Sequence, residues 1–502
     1  MASWWWLLAR LVLWVSAAVV AALWRLWASR PRVDVPGPPA LPIVGNTLHF
    51  WKVPITVGKL RDYSRQYGHL TRFYFGPTLV VMVVHPDDVQ HILVTCKLVD
   101  RDPFTSRILR IFAGNSLFTL NGRTWKVHRK LINPTFHTEL LESFLDAFHQ
   151  GGRFLSDRLA RTGGAPTLVH PPVFLAALQT IYKTAIGINP DVMIPNAMAE
   201  EEMSDAMCGV LAIFQVMLGR PWLQKKWLLR LTASGRRLLR YVRLLESLAT
   251  RCIAVRSATT EAETGGTRPR LLEALVKPGG HSPLPIHEVR DELLTLKMAS
   301  AETTSITVSF VLAMLALHPE WQDAARRELR EVFGEDEDCL RAPSMAELNR
   351  LRVLDSIIKE TLRLFPVVPA IPRVASEDLW LRGGRVLVPR GTRLAIVPYL
   401  THRLPEFFPD PLKFDPARFL ESGDGRHYPG SYLPFGLGAR NCVGFPYARL
   451  QLRVFVAHVL WRFRLLPHSG WKDLDDLMLS VSMHPVKPVQ VSCVPLRECP
   501  PH

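Results

Sequence analysis

The chain has no cysteine pairs to work with. Its seven cysteines, Cys96, Cys208, Cys252, Cys339, Cys442, Cys493 and Cys499, are scattered, odd in number and nowhere spaced as CxxC. Such a set argues against a disulfide framework and against a structural zinc site, and it suits a reducing compartment. Acidic residues are in deficit, 45 against 61 Lys and Arg, giving a formal net charge of +16. That balance suits an acidic protein partner or an anionic membrane surface. Nucleic acid is a poor candidate, because neither a compact Lys/Arg block nor a nucleic-acid-binding motif occurs. No Ser/Gly-rich linker divides the 502 residues, and 48% are apolar, so one large, mostly helical domain is expected.

What is present begins with an apolar run. From Trp4 to Trp24 only Arg10 and Ser16 are polar, and Arg25, Arg30 and Arg32 close the segment. It is long enough to cross a hydrocarbon core of about 30 Å as a helix. The arginines after it favour a cytosolic C-terminal side. A cleaved signal peptide is one rival, but no small-residue cleavage site precedes the folded part. A mitochondrial transit peptide is another, and it would be richer in Arg and Ser and less apolar. We therefore expect a membrane anchor over residues 1–30. The run Pro36-Gly37-Pro38-Pro39-Ala40-Leu41-Pro42 cannot continue a helix and reads as a stiff hinge over 31–50, with the main folded domain over 51–502.

Within that body, Leu79 to Val84 reads as a buried strand and Gly122 to Phe136 as a helix. On that helix Trp125 and Arg129 share one face, an aromatic N–H donor beside a guanidinium, suited to a carboxylate on a planar ligand. Thr259 to Pro283 reads as a connector. Ile286 to Leu317 predicts a long helix with Ala299-Ser300-Ala301-Glu302-Thr303-Thr304 at its centre. A buried acid there must be hydrogen-bonded or employed, and a Thr can simply bond back to the carbonyl four residues earlier. Lys297 is predicted to face away from both Ala299 and Thr303. Pro319 and Gly334 frame one helix, and Ser344 with Glu347 forms a capping box. Glu360 and Arg363 fall on one face of a helix over Leu354 to Phe365.

The richest stretch is Phe435-Gly436-Leu437-Gly438-Ala439-Arg440-Asn441-Cys442-Val443-Gly444. Glycine lets the backbone approach something flat and bulky. Cys442 stands just ahead of a helix, where backbone N–H groups favour a thiolate. Arg440 suits a carboxylate on the same ligand.

This loop resembles the haem-binding loop of the cytochrome P-450 monooxygenases, Phe-x-x-Gly-x-Arg-x-Cys-x-Gly, at every fixed position. The resemblance extends along the chain, closest to the clan containing the family-four fatty-acid hydroxylases. It implies a mainly α fold with a small β region, and haem b held between the long helix and the helix after Cys442. Cys442 would be the axial thiolate ligand of the iron, in a loop begun by Phe435 and Gly436. Arg440, Trp125, Arg129 and Arg373 would meet the propionates. Glu302 and Thr303 match the acid and alcohol that relay protons to bound dioxygen. Glu360, Arg363 and Arg418 match a bracing network.

Two positions depart from the pattern. Ser300 replaces a glycine that distorts the helix, and Ala299 stands where relatives carry a glutamate esterified to haem, so non-covalent haem is expected. The resemblance further implies NADPH–cytochrome P-450 reductase and cytochrome b5 as partners, received on basic residues such as Lys126, Lys130 and Arg449. It also implies residence in the endoplasmic reticulum membrane, with a mitochondrial membrane as the alternative. The substrate would be apolar: a fatty acid, a terpenoid hormone or a xenobiotic. Cavity walls are expected from Phe104 to Leu120, Leu296 to Thr303, Val367 to Ile371 and around Val481-Ser482. A haem-thiolate isomerase or dehydratase needing no electrons is a rival that the Glu302-Thr303 pair disfavours. A non-catalytic haem-binding protein is another.

Overall fold

A computed structural model describes residues 2–50, 55–193, 197–258, 270–277, 280–334, 340–421, 427–468 and 476–496. The first apolar run forms one helix, Ala2–Ala28, and its Trp, Leu and Val side chains from Trp4 to Leu26 stand exposed. A contiguous apolar surface of that size is made for lipid rather than water. The other helix of comparable length and hydropathy, Ile286–Leu317, is instead core, with 83% of its most apolar window buried.

Contact with the body starts at Trp27. Its ring meets Tyr74 edge-on at 5.8 Å, and the Arg30 guanidinium lies 3.9 Å over it. The Pro-rich stretch that follows is fastened along the strand Leu70–Phe75. The Arg72 N–H donates to the Pro36 carbonyl at 2.9 Å. The buried Asn46 amide donates to the Pro39 carbonyl at 2.9 Å and accepts from the Tyr74 N–H at 2.8 Å. Gly37 is required here, since a Cβ would collide with the Arg72 carbonyl. The stiffness predicted from proline is thus reinforced by docking.

The largest sheet runs Leu70–Phe75, Thr78–Val83, Arg393–Ile396, Ile371–Val374. The first two strands form an antiparallel hairpin, Thr78–Val83 lies parallel to Arg393–Ile396, and Arg373 sits opposite Leu394. A three-stranded sheet and two short ribbons complete the β region; nearly everything else is helical. The helix Ile286–Leu317 runs unbroken for 32 residues, through Ser300 as well. It is largely buried, packed by His170–Ile181, Ala233–Ala258, Arg352–Leu364 and Phe445–Arg462. Lys297 faces away from the cavity described below and donates to the buried Tyr182 hydroxyl at 3.2 Å.

Other expected elements are present: Gly122–Ile132 with a 3-10 turn to Phe136, Pro319–Phe333, and the Ser344–Glu347 capping box. Of the connector expected over Thr259 to Pro283, residues 259–269 and 278–279 lie outside the described residues. Leu271–Leu275 within it is a helical turn.

Two ionic clamps join helices around the future site. His128 is buried between Glu292, at 2.6 Å from its Nδ1, and Glu288, at 3.1 Å from its Nε2. Burial alone would lower the imidazole, but the two carboxylates outweigh it and hold His128 above its ordinary value. Asp355 takes Arg453 at 2.6 Å, Lys359 at 2.8 Å and Arg449 at 2.9 Å, tying Arg352–Leu364 to Phe445–Arg462.

Burial pushes the Asp355 carboxyl up, but Arg449, Arg453 and Lys359 win and hold it well below the ordinary range. A depressed carboxyl stabilises the fold fully above its unfolded value, about pH 4, and progressively less as the pH falls below that. Asp355→Asn should therefore cost about 3 kcal/mol at neutral pH, because it takes the carboxylate away from the buried Arg453. The deficit against the parent should shrink on acidification. Thermal unfolding midpoints across pH check this; a deficit that stays constant in acid contradicts it.

Candidate active site

The loop before Phe445–Arg462 is shaped by two left-handed glycines, Gly436 (φ 74°) and Gly438 (φ 73°). A Cβ at Gly438 would strike the Leu93 carbonyl. The Cys442 N–H donates back to the Phe435 carbonyl at 2.8 Å, and the Phe435 ring rests on Phe445 at 4.6 Å. Closed this way, the loop presents Cys442 on the wall of a cavity of about 800 Å³. The apolar surroundings push the Cys442 thiol up, against the Gly444 N–H and Arg129, which draw it down. The helix start therefore helps a thiolate less than sequence reasoning expects. A metal held at Cys442 would supply the remaining drive for deprotonation. Of the other described cysteines none lines this cavity. Cys493, for instance, is buried in the strand Gln490–Pro495, where burial raises its thiol to about 12.

One end of the cavity is walled by Trp125, Arg129, Arg373 and Arg440, joined by Arg101, which the motifs did not point to. Arg440 donates to the Val99 carbonyl at 2.6 Å and to Asn121 Oδ1 at 3.0 Å, with its guanidinium 4.9 Å over the Trp125 ring. Arg129 donates to the Asn441 carbonyl at 2.8 Å and to its Oδ1 at 2.9 Å; Arg373 donates to the Leu98 carbonyl at 2.9 Å. Among the described residues none of these four arginines forms an ion pair with a carboxylate. The Nε atoms of Arg101 and Arg440 and the Trp125 Nε1 are buried without a hydrogen-bond partner.

Burial, with Arg373 next to it, pulls Arg440 down to about 9, and burial pulls Arg373 to about 10. Arg101 falls well below its ordinary value by burial and by Arg440 and Arg373. Gathered cations with orphaned donors make a costly arrangement unless an anion joins them. A planar ligand carrying two carboxylates, with its metal at Cys442, satisfies both demands, so the residues present fit haem. The signal for Arg101 was there: Asp102-Pro103 opens the helix Pro103–Ala113, with Asp102 accepting from the Phe104 and Thr105 N–H groups. That cap sets where Arg101 emerges.

The central helix contributes Leu296, Ala299, Ser300, Thr303, Thr304 and Thr307 to the same cavity. The Thr303 hydroxyl donates to the Ala299 carbonyl at 2.7 Å, keeping its lone pairs available on the cavity side. Glu302, expected to share a proton relay with it, does not line the cavity. Successive helical residues diverge by about 100°, and Glu302 is drawn to His484 at 2.9 Å, Ser482 at 3.2 Å and His170 at 3.5 Å. Burial alone would raise its carboxyl, but the neighbouring His170 and His484 bring it down to about 2.

The remaining walls come from the expected stretches, including Leu109, Phe118, Val367, Ile371 and Val481, and from the unexpected Phe50, Phe73 and Phe75. These aromatics belong to the 3-10 turn Thr47–Phe50 and the first strand, whose closeness to the loop is a matter of topology.

Behind the loop, Glu360 and Arg363 are both fully buried and paired twice, at 2.7 and 2.8 Å. Arg363 also donates to the carbonyls of Pro411 at 2.7 Å, His402 at 3.0 Å and Lys413 at 3.1 Å. Arg418 approaches Glu360 at 3.6 Å. The chain of contacts reaches the loop through His402, which sequence reasoning missed: its Nδ1 lies 3.2 Å from the Arg363 carbonyl and its Nε2 accepts the Leu433 N–H at 2.9 Å. Burial lowers His402 to about 3, so it is the neutral imidazole that donates at one nitrogen and accepts at the other. His402→Phe should orphan both backbone groups, at a cost of about 3 kcal/mol, and speed haem transfer to an acceptor protein. Unchanged haem retention in that variant would show that the loop does not lean on His402.

With this geometry in place, comparison with known proteins is direct. The family described as Cytochrome P-450 matches residues 35–492. Similar proteins include cytochrome P-450 4c3 of Drosophila melanogaster, 29% identical over 92% of this chain and 89% of its own. Cytochrome P-450 4V2 of Mus musculus is 30% identical over 91% and 89%, and probable cytochrome P-450 4d20 of Drosophila melanogaster is 31% identical over 91% and 94%. Family-four relatives agree with the clan that the motifs point to. Membership brings haem bound through a cysteine thiolate, a redox partner, an apolar substrate and, with the Ala2–Ala28 helix, association with a membrane. The chain belongs to the cytochrome P-450 family and is a haem-thiolate monooxygenase.

Proposed function

We propose that this monooxygenase inserts one atom of dioxygen into a C–H bond of a fatty acid, terpenoid or xenobiotic, with electrons from NADPH delivered by NADPH–cytochrome P-450 reductase. Cytochrome b5 is a second donor. The observation that carries this reading is the convergence of Cys442 and Thr303 on one aromatic- and aliphatic-lined cavity, with orphaned guanidinium donors at its end. Residues 1–30 anchor the chain in the endoplasmic reticulum membrane, 31–50 form the hinge and 51–502 the catalytic body.

Cys442 ligates the iron, and Phe435 and Gly436 shape the loop against the ring. Arg129, Arg373, Arg440 and Trp125, with Arg101, hold the propionates. Haem bound there supplies oxygen activation. Ala299 offers no carboxylate for an ester, so the cofactor is held non-covalently. Thr303, whose own proton is donated to the Ala299 carbonyl, accepts at Oγ1 on the cavity side and positions the protons that Glu302 relays. Glu360, Arg363 and Arg418 keep the loop rigid. Lys126 and Lys130 are exposed and suit an acidic redox partner. Arg449, grouped with them on sequence grounds, is engaged by Asp355 at 2.9 Å and acts chiefly as a clamp.

Reductase-reconstituted enzyme should convert one of the three substrate classes, in the presence of NADPH, to a product heavier by one oxygen atom taken from labelled dioxygen. Turnover of a peroxide without NADPH would replace this reading with an isomerase. Cys442→Ala should abolish the thiolate-type absorption of the reduced carbon-monoxide complex; persistence of that band would overturn the ligand assignment.

A further inference from the structure

A second cluster of ligating side chains lies apart from the cavity, where the first hairpin opens. His69 and His85 flank that end of the strands Leu70–Phe75 and Thr78–Val83, and the Val84 N–H donates to the His69 carbonyl at 3.0 Å. The helical turn Pro398–Thr401 docks on the same end. The Val397 N–H donates to the Val83 carbonyl at 3.2 Å, and the Thr401 hydroxyl to the Val84 carbonyl at 2.8 Å. The chain then brings the Phe407 ring edge-on to His85 at 5.7 Å and against Tyr428 at 4.9 Å. With Phe407 wedged there, its neighbour Glu406 stands next to the two histidines. One ligating atom from each of His69, His85 and Glu406 lies within 4.8 Å of the other two. The two imidazole rings stack at 5.4 Å, with 28° between their planes. Both histidines are part-exposed and Glu406 is exposed, and none of the three lines the cavity beside Cys442.

The geometry points to a divalent-metal site of the zinc class on His69, His85 and Glu406, with water in the open position. Two imidazoles and one carboxylate make a borderline-soft donor set, which zinc takes in a tetrahedron at about 2.0–2.2 Å from each ligand. Ligands around such an ion stand about 3.4 Å apart, so the triad closes by side-chain rotation, chiefly of the exposed Glu406. The charged groups around it favour a cation on balance. Arg382 faces His69, but so do Asp88 and Glu406, and Asp87 stands at His85 with Oδ2 3.6 Å from Nδ1. The Tyr428 hydroxyl donates to Asp87 Oδ1 at 2.5 Å, and the Asp87 N–H donates to His85 Nδ1 at 3.3 Å. Coordination through Nε2 moves the ring proton to Nδ1, exchanging the Asp87 N–H for Asp87 Oδ2 as its neighbour. An outer carboxylate of that kind orients histidine ligands. An ion held there joins the hairpin to the segment that carries His402 and Arg403. Those residues contact Arg363, Leu364 and Leu433 in the brace behind the Cys442 loop. A metal that binds only the folded chain stabilises it by mass action, so zinc serves here as a removable staple on the brace and takes no part in oxygen chemistry. The site stands independently of the substrate reading above.

The test uses full-length ferric holoenzyme, cleared of loosely bound metal with a chelator and titrated with zinc chloride. One zinc ion per chain should bind. Its X-ray absorption spectrum should show nitrogen and oxygen neighbours at about 2.0–2.1 Å, with imidazole scattering and no sulfur. Glu406→Gln and His69→Gln/His85→Gln should each lose that ion, and Asp87→Asn should weaken its binding about tenfold or more. His91→Gln, which removes the imidazole 3.3 Å from the Cys96 sulfur, should leave uptake as it is. Saturating zinc should raise the unfolding temperature of the parent and slow haem transfer to an acceptor protein, and should do neither in Glu406→Gln. A sulfur neighbour at about 2.3 Å would move the ion to a cysteine and overturn the proposal. Adventitious binding only, with several ions per chain taken up regardless of Glu406→Gln, would overturn it as well. So would zinc uptake by the parent that shifts neither its unfolding temperature nor its rate of haem transfer.

Discussion

Positive charge with nowhere to go governs this structure. Arg101, Arg129, Arg373 and Arg440 converge from four separate segments on one end of a cavity, and their hydrogen bonds go to carbonyls and an amide side chain rather than to carboxylates. Carbonyl oxygens orient a guanidinium but do not neutralise it. A bound dianion completes the arrangement. Folding and cofactor binding are therefore linked here: whatever stabilises the bound state stabilises the walls that surround it.

The apolar core provides the rigidity that such a cavity needs, but the loop itself is aligned by polar contacts. Glu360 and Arg363 are removed entirely from water, an expensive placement unless every lone pair and N–H is used. Arg363 meets this by reaching three carbonyls besides its carboxylate. His402 then passes the geometry on to Leu433, at the entrance of the loop. Asp355, between Arg449, Arg453 and Lys359, fastens the helix that follows the loop. The loop is thereby held by a framework that includes His402, Arg363, Glu360 and Asp355, all far from it in the chain.

The two sides of the cavity differ in how they treat ionisable groups. On the loop side, charge is buried, crowded and static. On the central helix, Thr303 closes a bond to its own helix, and the adjacent acid, Glu302, is turned to a cluster that includes two part-exposed histidines.

Local chemistry accounts for what could be read directly from the chain. Glycines at 436 and 438 announce backbone that no other residue adopts comfortably, Pro319 and Ser344 announce helix starts, and an apolar run broken only by Arg10 and Ser16 announces the first helix. The spacing of Trp125 with Arg129 and of Glu360 with Arg363 follows from helical geometry alone. Tertiary structure decided the rest, because partners distant in sequence leave no periodic trace. It brought Arg101 and the ring of Phe73 to the cavity and inserted His402 between the brace and the loop. It also turned Arg449 inward to Asp355 and moved Glu302 off the face that Thr303 occupies. In each case the deciding force was a charge or hydrogen bond to a residue on another element, and only the folded chain says where that element lies.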